Sequence, residues 1–514
     1  MDLLRPDASG GPVPLGGGGD RPNVILVLAD SLRRDQLVAY GGPAETAPNL
    51  NRFAARSHLF RNHFVGSLPC MPARREIFSG RREFLWRPWG PLEPFDRRAP
   101  RLLAAAGYRT GIVTDHYHYW EEAANGYLQS FQSTELIRGH ELDTWHPPLA
   151  DDADLPSWVR NIERWRPGQG RRYYANVRDF RSEEDYFRAR VMRSACRWLE
   201  TYDGGAPFFL QVESFDVHEP FDVPEPYRSL YADPAARDRF TVWPPYQDVD
   251  RQAEFMARAD PAELAFIRSQ YRAKVTMVDR WLGELFRTLD ERGLWDRTAV
   301  IVTTDHGHDL GERGVFGKQY PHFDSHACLP LMVWLPGMVE RREVNSLTTT
   351  ADLNATILDV AGVDADEVVW SRSLIPLIRG TGGALREALI YGTFGQGLCC
   401  TDGRWSLFKS PERDSPLFQY SAGLGQTGSP PAAGSLETGR FIPEVEVPQW
   451  RIPASSRPLS REDHLYRRLD DPGQERNLWG EGGPQRERML RLARSVMDEE
   501  GFPEEQLRRL GLGR

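Results

Sequence analysis

The sequence has little of what disulfide-built or membrane-spanning proteins are made from. Its 514 residues contain five cysteines, too few for a convincing disulfide framework. No apolar run approaches the roughly 18 residues that a membrane-spanning helix needs. Residues 1–20 are rich in glycine and lack the apolar core of a secretory signal,. We therefore expect a flexible lead-in over 1–20 and a cytoplasmic protein with no membrane partner.

The sequence also lacks an excess of positive charge. Its formal net charge is −9, so the overall electrostatic field does not suggest a nucleic-acid partner. Hydrophobic residues make up 40% and charged residues 27% of the chain, which is typical of a soluble globular protein. We find no internal repeat. The length exceeds what one small core requires, which predicts two domains or one large domain with an appendix.

Apolar runs separated by helical patterns predict the fold. Residues 24–29 form a continuous apolar run between Pro22 and Asp30, as expected of a central strand buried on both faces. Further strands are predicted at 109–114, 207–212, 299–303 and 331–335, and the longest helix at about 262–291. This alternation predicts an α/β domain over residues 21–382, with a doubly wound, mostly parallel sheet flanked by helices.

The pattern changes at about residue 383. Short strands separated by turn residues are predicted at 388–391, 398–400 and 405–409, and a helix at 485–500. These elements predict a smaller C-terminal α+β subdomain over residues 383–514, with a small antiparallel sheet and a terminal helix.

A cysteine between two prolines is the most suggestive segment. Cys70 follows Pro69 and precedes Pro72 and Arg74. The prolines should keep the thiol out of a helix interior, in a turn on an active-site floor, with Arg74 opening a helix. A cysteine beside arginines can act as a thiolate nucleophile, but a small buried hydrophobic residue explains it equally well.

Two predicted strands end in possible metal ligands. Asp30 follows the first strand, and Asp305 and His306 follow the strand near residue 300. Ligands gather at the carboxyl ends of strands in open α/β sheets, so these side chains would be neighbours if both strands are central and parallel. Together with Cys70 they would make a divalent-cation site. Taken singly, Asp30 could cap a turn and His306 could be a structural histidine.

The segment Cys70-Met-Pro-Ala-Arg74, followed by Ser79-Gly80-Arg81, resembles the type I sulfatases of the alkaline phosphatase superfamily, near the arylsulfatase and phosphonate monoester hydrolase branch. The resemblance implies an alkaline-phosphatase-like fold and hydrolysis of sulfate esters. It further implies that a separate formylglycine-generating enzyme oxidises Cys70 to formylglycine, whose hydrated aldehyde is the nucleophile.

The resemblance also implies roles for individual residues. The metal ligands would be Asp30, the modified Cys70, Asp305 and His306. The catalytic residues would be Cys70, Arg74 beside the aldehyde hydrate, His118 near the nucleophile, and His218 with Lys318 at the leaving group, His218 being the first choice of acid. The substrate-binding residues would be His116, Lys318 and His322, although His308, His322 and His326 could each have a surface or structural role.

Two departures from the family pattern bear on the metal and the substrate. Most sulfatases have a second aspartate where this chain has Ser31, and His306 adds an imidazole. Ca²⁺ prefers oxygen ligands and Mn²⁺ tolerates imidazole, so we expect Mn²⁺, with Ca²⁺ or Mg²⁺ as alternatives. Phosphonate monoester hydrolases share the Asp-His pair and also lack the double aspartate.

The alternative function is therefore a phosphonate monoester hydrolase or phosphodiesterase on the same scaffold, and a third is an unmodified pseudoenzyme or binding protein. The expected partner is a small-molecule sulfate, phosphonate or phosphate ester, with a homo-oligomer possible. We expect residues 125–180 and the C-terminal part to determine specificity. The natural substrate does not follow from the sequence.

Overall fold

The computed structural model describes residues 21–121, 124–246, 248–338, 340–364, 370–424, 434–456 and 460–513. The predicted lead-in over 1–20 lies outside these residues. No helix within these ranges is both long and apolar enough to cross a bilayer.

The described residues contain strands at the following positions: β1 (Asn23–Ala29), β2 (His58–Phe64), β3 (Ser67–Leu68), β4 (Arg109–Thr114), β5 (Ser133–Leu136), β6 (Phe208–Ser214), β7 (Thr298–Thr303), β8 (Asp309–Leu310), β9 (Phe316–Gly317), β10 (Cys328–Leu329), β11 (Leu331–Trp334), β12 (Glu343–Thr349), β13 (Leu389–Thr393), β14 (Leu398–Thr401), β15 (Trp405–Lys409), β16 (Leu417–Ser421), β17 (Glu437–Gly439), β18 (Gln449–Ala454) and β19 (His464–Arg467).

The α-helices of the same ranges are α1 (Pro48–Arg56), α2 (Cys70–Ser79), α3 (Ala99–Ala105), α4 (Ser157–Trp165), α5 (Gln169–Val177), α6 (Phe187–Thr201), α7 (Val249–Arg258), α8 (Pro261–Glu291), α9 (Asp324–Ala327), α10 (Asp352–Val360), α11 (Ile375–Arg379), α12 (Pro484–Glu499) and α13 (Glu504–Arg509).

A mostly parallel sheet forms the centre of the molecule, as predicted. Its order is β10-β2-β11-β7-β1-β6-β4-β5, with β12 beside β2. The strands β5, β4, β6, β1 and β7 run parallel to one another. Strand β11 pairs antiparallel with both β7 and β2. The prediction of a doubly wound α/β sheet is confirmed, and two strands of the described sheet run antiparallel, β11 in its interior and β10 at one end.

Strand β1 lies between two hydrophobic layers, which explains its continuous apolar run. All seven of its residues are buried. Ile25 and Val27 pack in the layer that contains α1, α6 and α8, and Leu26 and Leu28 pack in the layer that contains α3, α10 and α11. Successive side chains of a strand point to opposite faces, so helices on both faces require apolar residues at every position.

A second sheet extends from the C-terminal part of the chain back to the Cys70 segment. Its order is β19-β15-β14-β13-β3, and β3 pairs parallel with β13. Strands β16, β18 and β17 form a further small antiparallel sheet. The predicted short strands and the terminal helix are present. The domain boundary near residue 383 stays a prediction.

Several local predictions need correction. Helix α2 begins at Cys70, not at Arg74 as expected. Pro72 is tolerated in its first turn because the N–H groups there have no partner within the helix, so the N–H that proline lacks is not missed. Strands β2, β5 and β12 lie in stretches for which no strand was predicted. Strand β5 pairs with β4, so part of the segment 125–180 belongs to the central sheet.

Candidate active site

The register of the central strands brings the predicted acidic residues to one edge of the sheet. Leu28 of β1 pairs with Thr303 of β7, and Ala29 pairs with Ser214 of β6. Asp30 and Asp305 therefore leave the sheet side by side, and the Ser31 N–H donates to Asp305 Oδ1 at 3.2 Å. The two carboxylates, 275 positions apart in the chain, are neighbours because their strands are.

Helix α2 brings its own two motif residues to the same place. Positions i and i+4 of a helix lie on one face, which explains the spacing between Cys70 and Arg74. Arg74 Nη1 donates to the Cys70 carbonyl at 3.0 Å. Both residues are buried, with 3% and 0% of their surfaces exposed. The motif therefore directs a guanidinium and residue 70 into the acidic edge of the sheet.

Arg74 is surrounded by three buried carboxylates. Its Nη2 lies 2.9 Å from Asp30 Oδ2, its Nη1 2.5 Å from Asp305 Oδ2 and its Nε 2.5 Å from Glu213 Oε1. Glu213 comes from β6 and also accepts a hydrogen bond from the Tyr119 hydroxyl at 3.0 Å. One positive charge faces three potential negative charges, so the charge balance on this side of the site favours binding of a further cation.

Four side chains in this cluster offer ligands to a metal ion. The candidate donors of Asp30, Cys70, Asp305 and His306 all lie within 4.8 Å of one another and are buried. His306 Nδ1 faces the Gly307 carbonyl at 2.9 Å and must donate to it. Its Nε2 therefore presents a lone pair, 3.2 Å from Cys70 Sγ,. Two carboxylates and an imidazole with a free nitrogen fit a divalent cation.

Burial and neighbouring charges shift the pKa values of these groups. Burial, reinforced by the Asp305 charge, raises the pKa of Asp30 well above its usual value. Burial lowers the pKa of His306 to about 4, so the imidazole is neutral, as a metal ligand must be. Burial and the Asp30 charge raise the pKa of the Cys70 thiol well above its usual value. The surrounding protein groups alone do not make Cys70 a thiolate.

A second cluster lies on the other side of Cys70. Lys318 Nζ lies 2.5 Å from His218 Nε2 and 3.5 Å from Glu219 Oε2. His218 Nδ1 donates to the Glu219 carbonyl at 2.9 Å, so its Nε2 accepts from the Lys318 ammonium. Glu219 Oε2 also contacts His308 Nε2 at 2.8 Å. The cluster therefore holds a transferable proton next to a balancing carboxylate.

The charges of this second cluster support that proton position. Burial lowers the pKa of His218 well below its usual value. Burial opposes the charged form of Lys318, but the Glu219 charge raises the pKa of the ammonium above its usual value. At neutral pH the proton therefore resides on Lys318, with His218 neutral beside it.

The other predicted histidines lie at different depths. His118 lines the cavity above Cys70, and its Nδ1 contacts Glu121 Oε2 at 2.9 Å. His116 is fully buried, with its Nε2 3.7 Å from Asp30 Oδ2, and does not line that cavity. His322 is also fully buried, 3.1 Å from the Thr393 hydroxyl through Nε2. Its role in substrate binding stays a prediction.

His308 and His326 are not surface residues. Both are buried, and His326 Nδ1 lies 3.2 Å from His322 Nδ1. Their burial excludes a surface role for both residues.

A cavity of about 780 Å³ lies over Cys70. Its lining includes His218 and Lys318, three aromatic side chains and three carboxylates. The aromatic residues are Trp89, Tyr246 and Tyr320, and the acidic residues are Glu121, Asp248 and Asp250. A half-open cavity that reaches a reactive residue and combines aromatic walls with a few polar groups has the character of a small-molecule site,.

Sequence reasoning missed two carboxylates and most of the cavity wall. Glu213 lies at the end of β6, so the strand-end argument that selected Asp30 applies to it. Glu219 lies five residues beyond the strand and carries no such signal. Trp89 and Tyr246 come from irregular segments 157 positions apart, and no local pattern brings them together.

Comparison with known proteins agrees with this geometry. The family model described as Sulfatase matches residues 22–363. The chain belongs to the sulfatase family. It is therefore a hydrolase of sulfate or phosphonate esters, and the recognition made from the Cys70 motif is confirmed.

Two relatives of this sulfatase match most of its length. Choline-sulfatase from Rhizobium meliloti (strain 1021) is 25% identical over 429 residues, which is 78% of this chain and 81% of that protein. A multifunctional alkaline phosphatase superfamily protein from Trinickia caryophylli is 26% identical over 405 residues, 70% of this chain and 77% of its own length.

A solved structure shows the same fold over nearly the whole chain. The phosphonate monoester hydrolase of Agrobacterium radiobacter superposes with a TM-score of 0.64 at 19% identity, covering 94% of this sulfatase and 96% of that chain. At this identity the likeness establishes the fold and not the substrate.

Proposed function

We propose that this sulfatase hydrolyses sulfate monoesters at residue 70, converted to formylglycine, with one divalent metal ion. The observation that carries the proposal is the position of Cys70 at the floor of the cavity, between the Asp30–Asp305–His306 cluster and the Lys318–His218 pair. A formylglycine at this position, made by a formylglycine-generating enzyme, would react as its hydrate. One hydroxyl would attack sulfur as the alcohol leaves, and the second would lose its proton to restore the aldehyde as the C–O bond to sulfate breaks.

The metal would be held by Asp30, Asp305, His306 and residue 70. Such a cation would polarise the sulfate oxygens and stabilise the charge that develops on them. The imidazole of His306 in the ligand set supports Mn²⁺ over Ca²⁺ or Mg²⁺. Ser31 Oγ donates to Asp30 Oδ1 at 2.7 Å, so the serine in place of a second aspartate orients a ligand without adding charge.

Arg74 would hold residue 70 and its neighbours in place. Its guanidinium bonds three carboxylates and the Cys70 carbonyl, which fixes the first turn of α2 against the sheet edge. A guanidinium has five N–H donors in a rigid planar arrangement, and here they bond four acceptors: three carboxylates and one carbonyl.

The Lys318–His218 pair would handle the leaving group. Protonation of the departing oxygen by a positioned acid contributes typically about 10²–10⁴-fold. The ammonium of Lys318 carries the proton, and His218 Nε2 accepts from it at 2.5 Å, so either residue can deliver it to an oxygen in the cavity. His118, on the same cavity wall, would contact the sulfuryl group or the leaving group.

The cavity lining supports a small leaving group without much negative charge. Among the described lining residues, Lys318 is the one lysine and there is no arginine, whereas three carboxylates are present. A polyanionic saccharide would meet repulsion from Glu121, Asp248 and Asp250, while an aryl or ammonium-bearing group would meet aromatic faces and carboxylates. We therefore propose aryl or small cationic alcohol sulfates as the substrate class.

The second candidate function is hydrolysis of phosphonate monoesters or phosphodiesters. The Asp305-His306 pair beside Ser31 supports it, since the phosphonate monoester hydrolases share this departure from the sulfatase pattern. Both reactions need the same cation and the same leaving-group acid, so the geometry of the floor does not separate them.

Rates on matched esters test the proposal. The protein is purified after co-expression with a formylglycine-generating enzyme, conversion of residue 70 is measured by peptide mass spectrometry, and Mn²⁺, Ca²⁺ or Mg²⁺ is supplied separately. We expect kcat/KM for an aryl sulfate to exceed that for the corresponding aryl phosphonate and aryl phosphodiester. The reverse order would establish the second candidate function, and inactivity of the fully converted protein on all three esters would contradict both.

A further inference from the structure

A buried ion-pair cluster lies directly behind His218 and has no part in the proposed chemistry. It consists of Asp216, Arg188, Lys274 and His140, each no more than 1% exposed. Arg188 Nε lies 2.6 Å from Asp216 Oδ2, and His140 Nε2 lies 3.0 Å from Asp216 Oδ1. Lys274 forms an ion pair with the same carboxylate. We call these four residues the support cluster.

The support cluster is not a second metal site. Asp115, His140 and Asp216 offer three closely spaced ligand atoms. Two cations, Arg188 and Lys274, already contact the Asp216 carboxylate. A divalent ion there would add positive charge next to two positive charges in a buried site, which is strongly unfavourable.

Lys274 connects this cluster to the backbone that carries His218. Its Nζ donates to the His218 carbonyl at 2.6 Å and to the Pro220 carbonyl at 2.7 Å. With Asp216, the ammonium therefore has three acceptors for its three N–H groups,. All three acceptors belong to residues 216–220, the segment that presents His218 and Glu219 to Lys318. The lysine itself comes from the middle of the 31-residue helix α8.

The composition of the chain makes this lysine unusual. Only three of its 64 basic residues are lysine, at positions 274, 318 and 409. All three are buried, and one of them is the proposed leaving-group lysine. An ammonium directs three donors from one small centre, whereas a guanidinium directs its donors in a plane. Position 274 has a lysine in a chain whose other basic residues are almost all arginine, and its three converging acceptors suit the smaller cation.

Stability alone does not explain a buried lysine at this point. Removing two charged groups from water costs several kcal/mol per ion, and well-packed apolar residues are often as stable as a buried ion pair. What an apolar residue could not do is donate hydrogen bonds to the carbonyls on both sides of Glu219.

We propose that Lys274 is a positioning residue for the reaction. It holds the backbone of residues 218–220 so that the His218 ring and the Glu219 carboxylate stay aligned with Lys318. Lys274 does not line the cavity and does not touch the substrate. The inference rests on the proposed function, because it assigns Lys274 a role through the leaving-group pair.

The test is Lys274→Met, which keeps the length of the side chain and removes all three donors. The variant is assayed on a series of aryl sulfates whose phenols differ in pKa. We expect kcat/KM to fall about 10²-fold for an ester with a poor leaving group and about tenfold or less for an activated nitrophenyl ester. The loss should be larger for the poor leaving group because its departure depends more strongly on protonation by a correctly aligned acid. The metal content and the formylglycine content of the variant should equal those of the protein without the substitution.

Two further variants keep the proposal falsifiable. Lys274→Arg retains the charge beside Asp216 but not the three-way donation, and we expect the same steeper dependence on leaving-group pKa. Lys409→Met is the matched control, since Lys409 is a buried lysine that donates to the Ser410 carbonyl and pairs with Asp463. It should leave that dependence unchanged. If Lys274→Met does not fold, Lys274→Arg decides alone.

Other results would overturn the proposal. An equal loss for all leaving groups, or full activity in Lys274→Arg, would show that only charge or stability matters at this position. If the unmodified sequence hydrolyses no ester, it is the proposed function that fails. The positioning role is then decided by a crystal structure of the Lys274→Met variant, in which an unchanged contact between His218 and Lys318 would overturn it and a displaced His218 ring would support it.

Discussion

The two sides of residue 70 differ in how their charges are balanced. On the sheet side, Arg74 faces Asp30, Asp305 and Glu213, so buried negative charge is in excess. On the other side, Lys318 faces Glu219, with neutral His218 between them, so charge is matched. An excess of buried carboxylates favours binding of a cation, whereas an ammonium balanced by one carboxylate can hold or release a proton. The first side would thus stabilise the sulfuryl group and the second the leaving group.

The largest expected effect comes from removing the residue between the two sides. Cys70→Ala should lower kcat/KM on the order of 10⁴-fold or more, since a nucleophile has no substitute. The thermal unfolding midpoint should change little, because the alanine fits the start of α2. Cys196→Ala, which changes a half-buried cysteine on α6, should retain activity.

If Cys70→Ala hydrolysed the ester as fast as the protein without the substitution, residue 70 would not be the nucleophile and the comparison of its two sides would lose its meaning. Peptide mass spectrometry of the active protein adds a check on residue 70 itself. A peptide about 18 Da lighter than the cysteine form is expected from the chemistry of the conversion. An active protein with unmodified Cys70 would contradict the proposed nucleophile.

The next effect isolates the sheet side. Asp305→Asn removes one of the three carboxylates that face Arg74, and we expect a loss of roughly 10²–10³-fold in kcat/KM. Metal content measured by elemental analysis should fall below one ion per chain. Asp279→Asn is the control, because Asp279 is a buried aspartate that accepts hydrogen bonds from the backbone of Asn49 and Leu50 and belongs neither to the candidate ligand cluster nor to the cavity lining. Unchanged metal content in Asp305→Asn would show that the cation lies elsewhere.

A third variant isolates the leaving-group side. His218→Ala should lower kcat/KM by roughly 10²-fold for an aryl sulfate with a poor leaving group and much less for an activated one. Metal content should stay at the level of the unmodified sequence. If metal is lost together with activity, the two sides are not independent and the comparison fails.

The smallest expected effect concerns the cavity rim. Glu121→Gln removes one exposed carboxylate from the lining, and exposed charge pairs contribute roughly 0.2–1 kcal/mol. We expect KM for an ammonium-bearing alkyl sulfate to rise about two- to fivefold, with little change for a neutral ester of the same size and shape. An equal change for both esters would mean that Glu121 acts through its contact with His118 and not through charge.

Much of the sheet side could be predicted because its signals are local. A buried apolar run predicts β1, and Asp30 ends it. The same pattern near residue 300 predicts β7 and Asp305. Parallel strands of one sheet share an edge, so two local patterns predict one distant contact. The helix start at Cys70 was misplaced by four residues because a proline inside the first turn was read as a reason against a helix.

Little of the leaving-group side beyond His218 and Lys318 could be predicted. Glu219 has no pattern that separates it from a solvated carboxylate, and its value comes from contacts with His308 and Lys318, about 90 and 100 positions away. In the sequence, nothing distinguishes Lys274 from the other residues of helix α8. Its role becomes visible only in the structure, where it contacts residues 216–220. Irregular segments carry no period from which a contact could be inferred.

By itself the sequence determined the alternating α/β architecture and the acidic strand ends. These follow from periods of two and 3.6 residues and from the chirality of strand connections, which act locally. The tertiary structure alone decided the balance of charge on each side of residue 70, the cavity walls and the hold of Lys274 on the His218 backbone. Charge balance in a buried site depends on which side chains meet after packing, and distance in the chain says nothing about that.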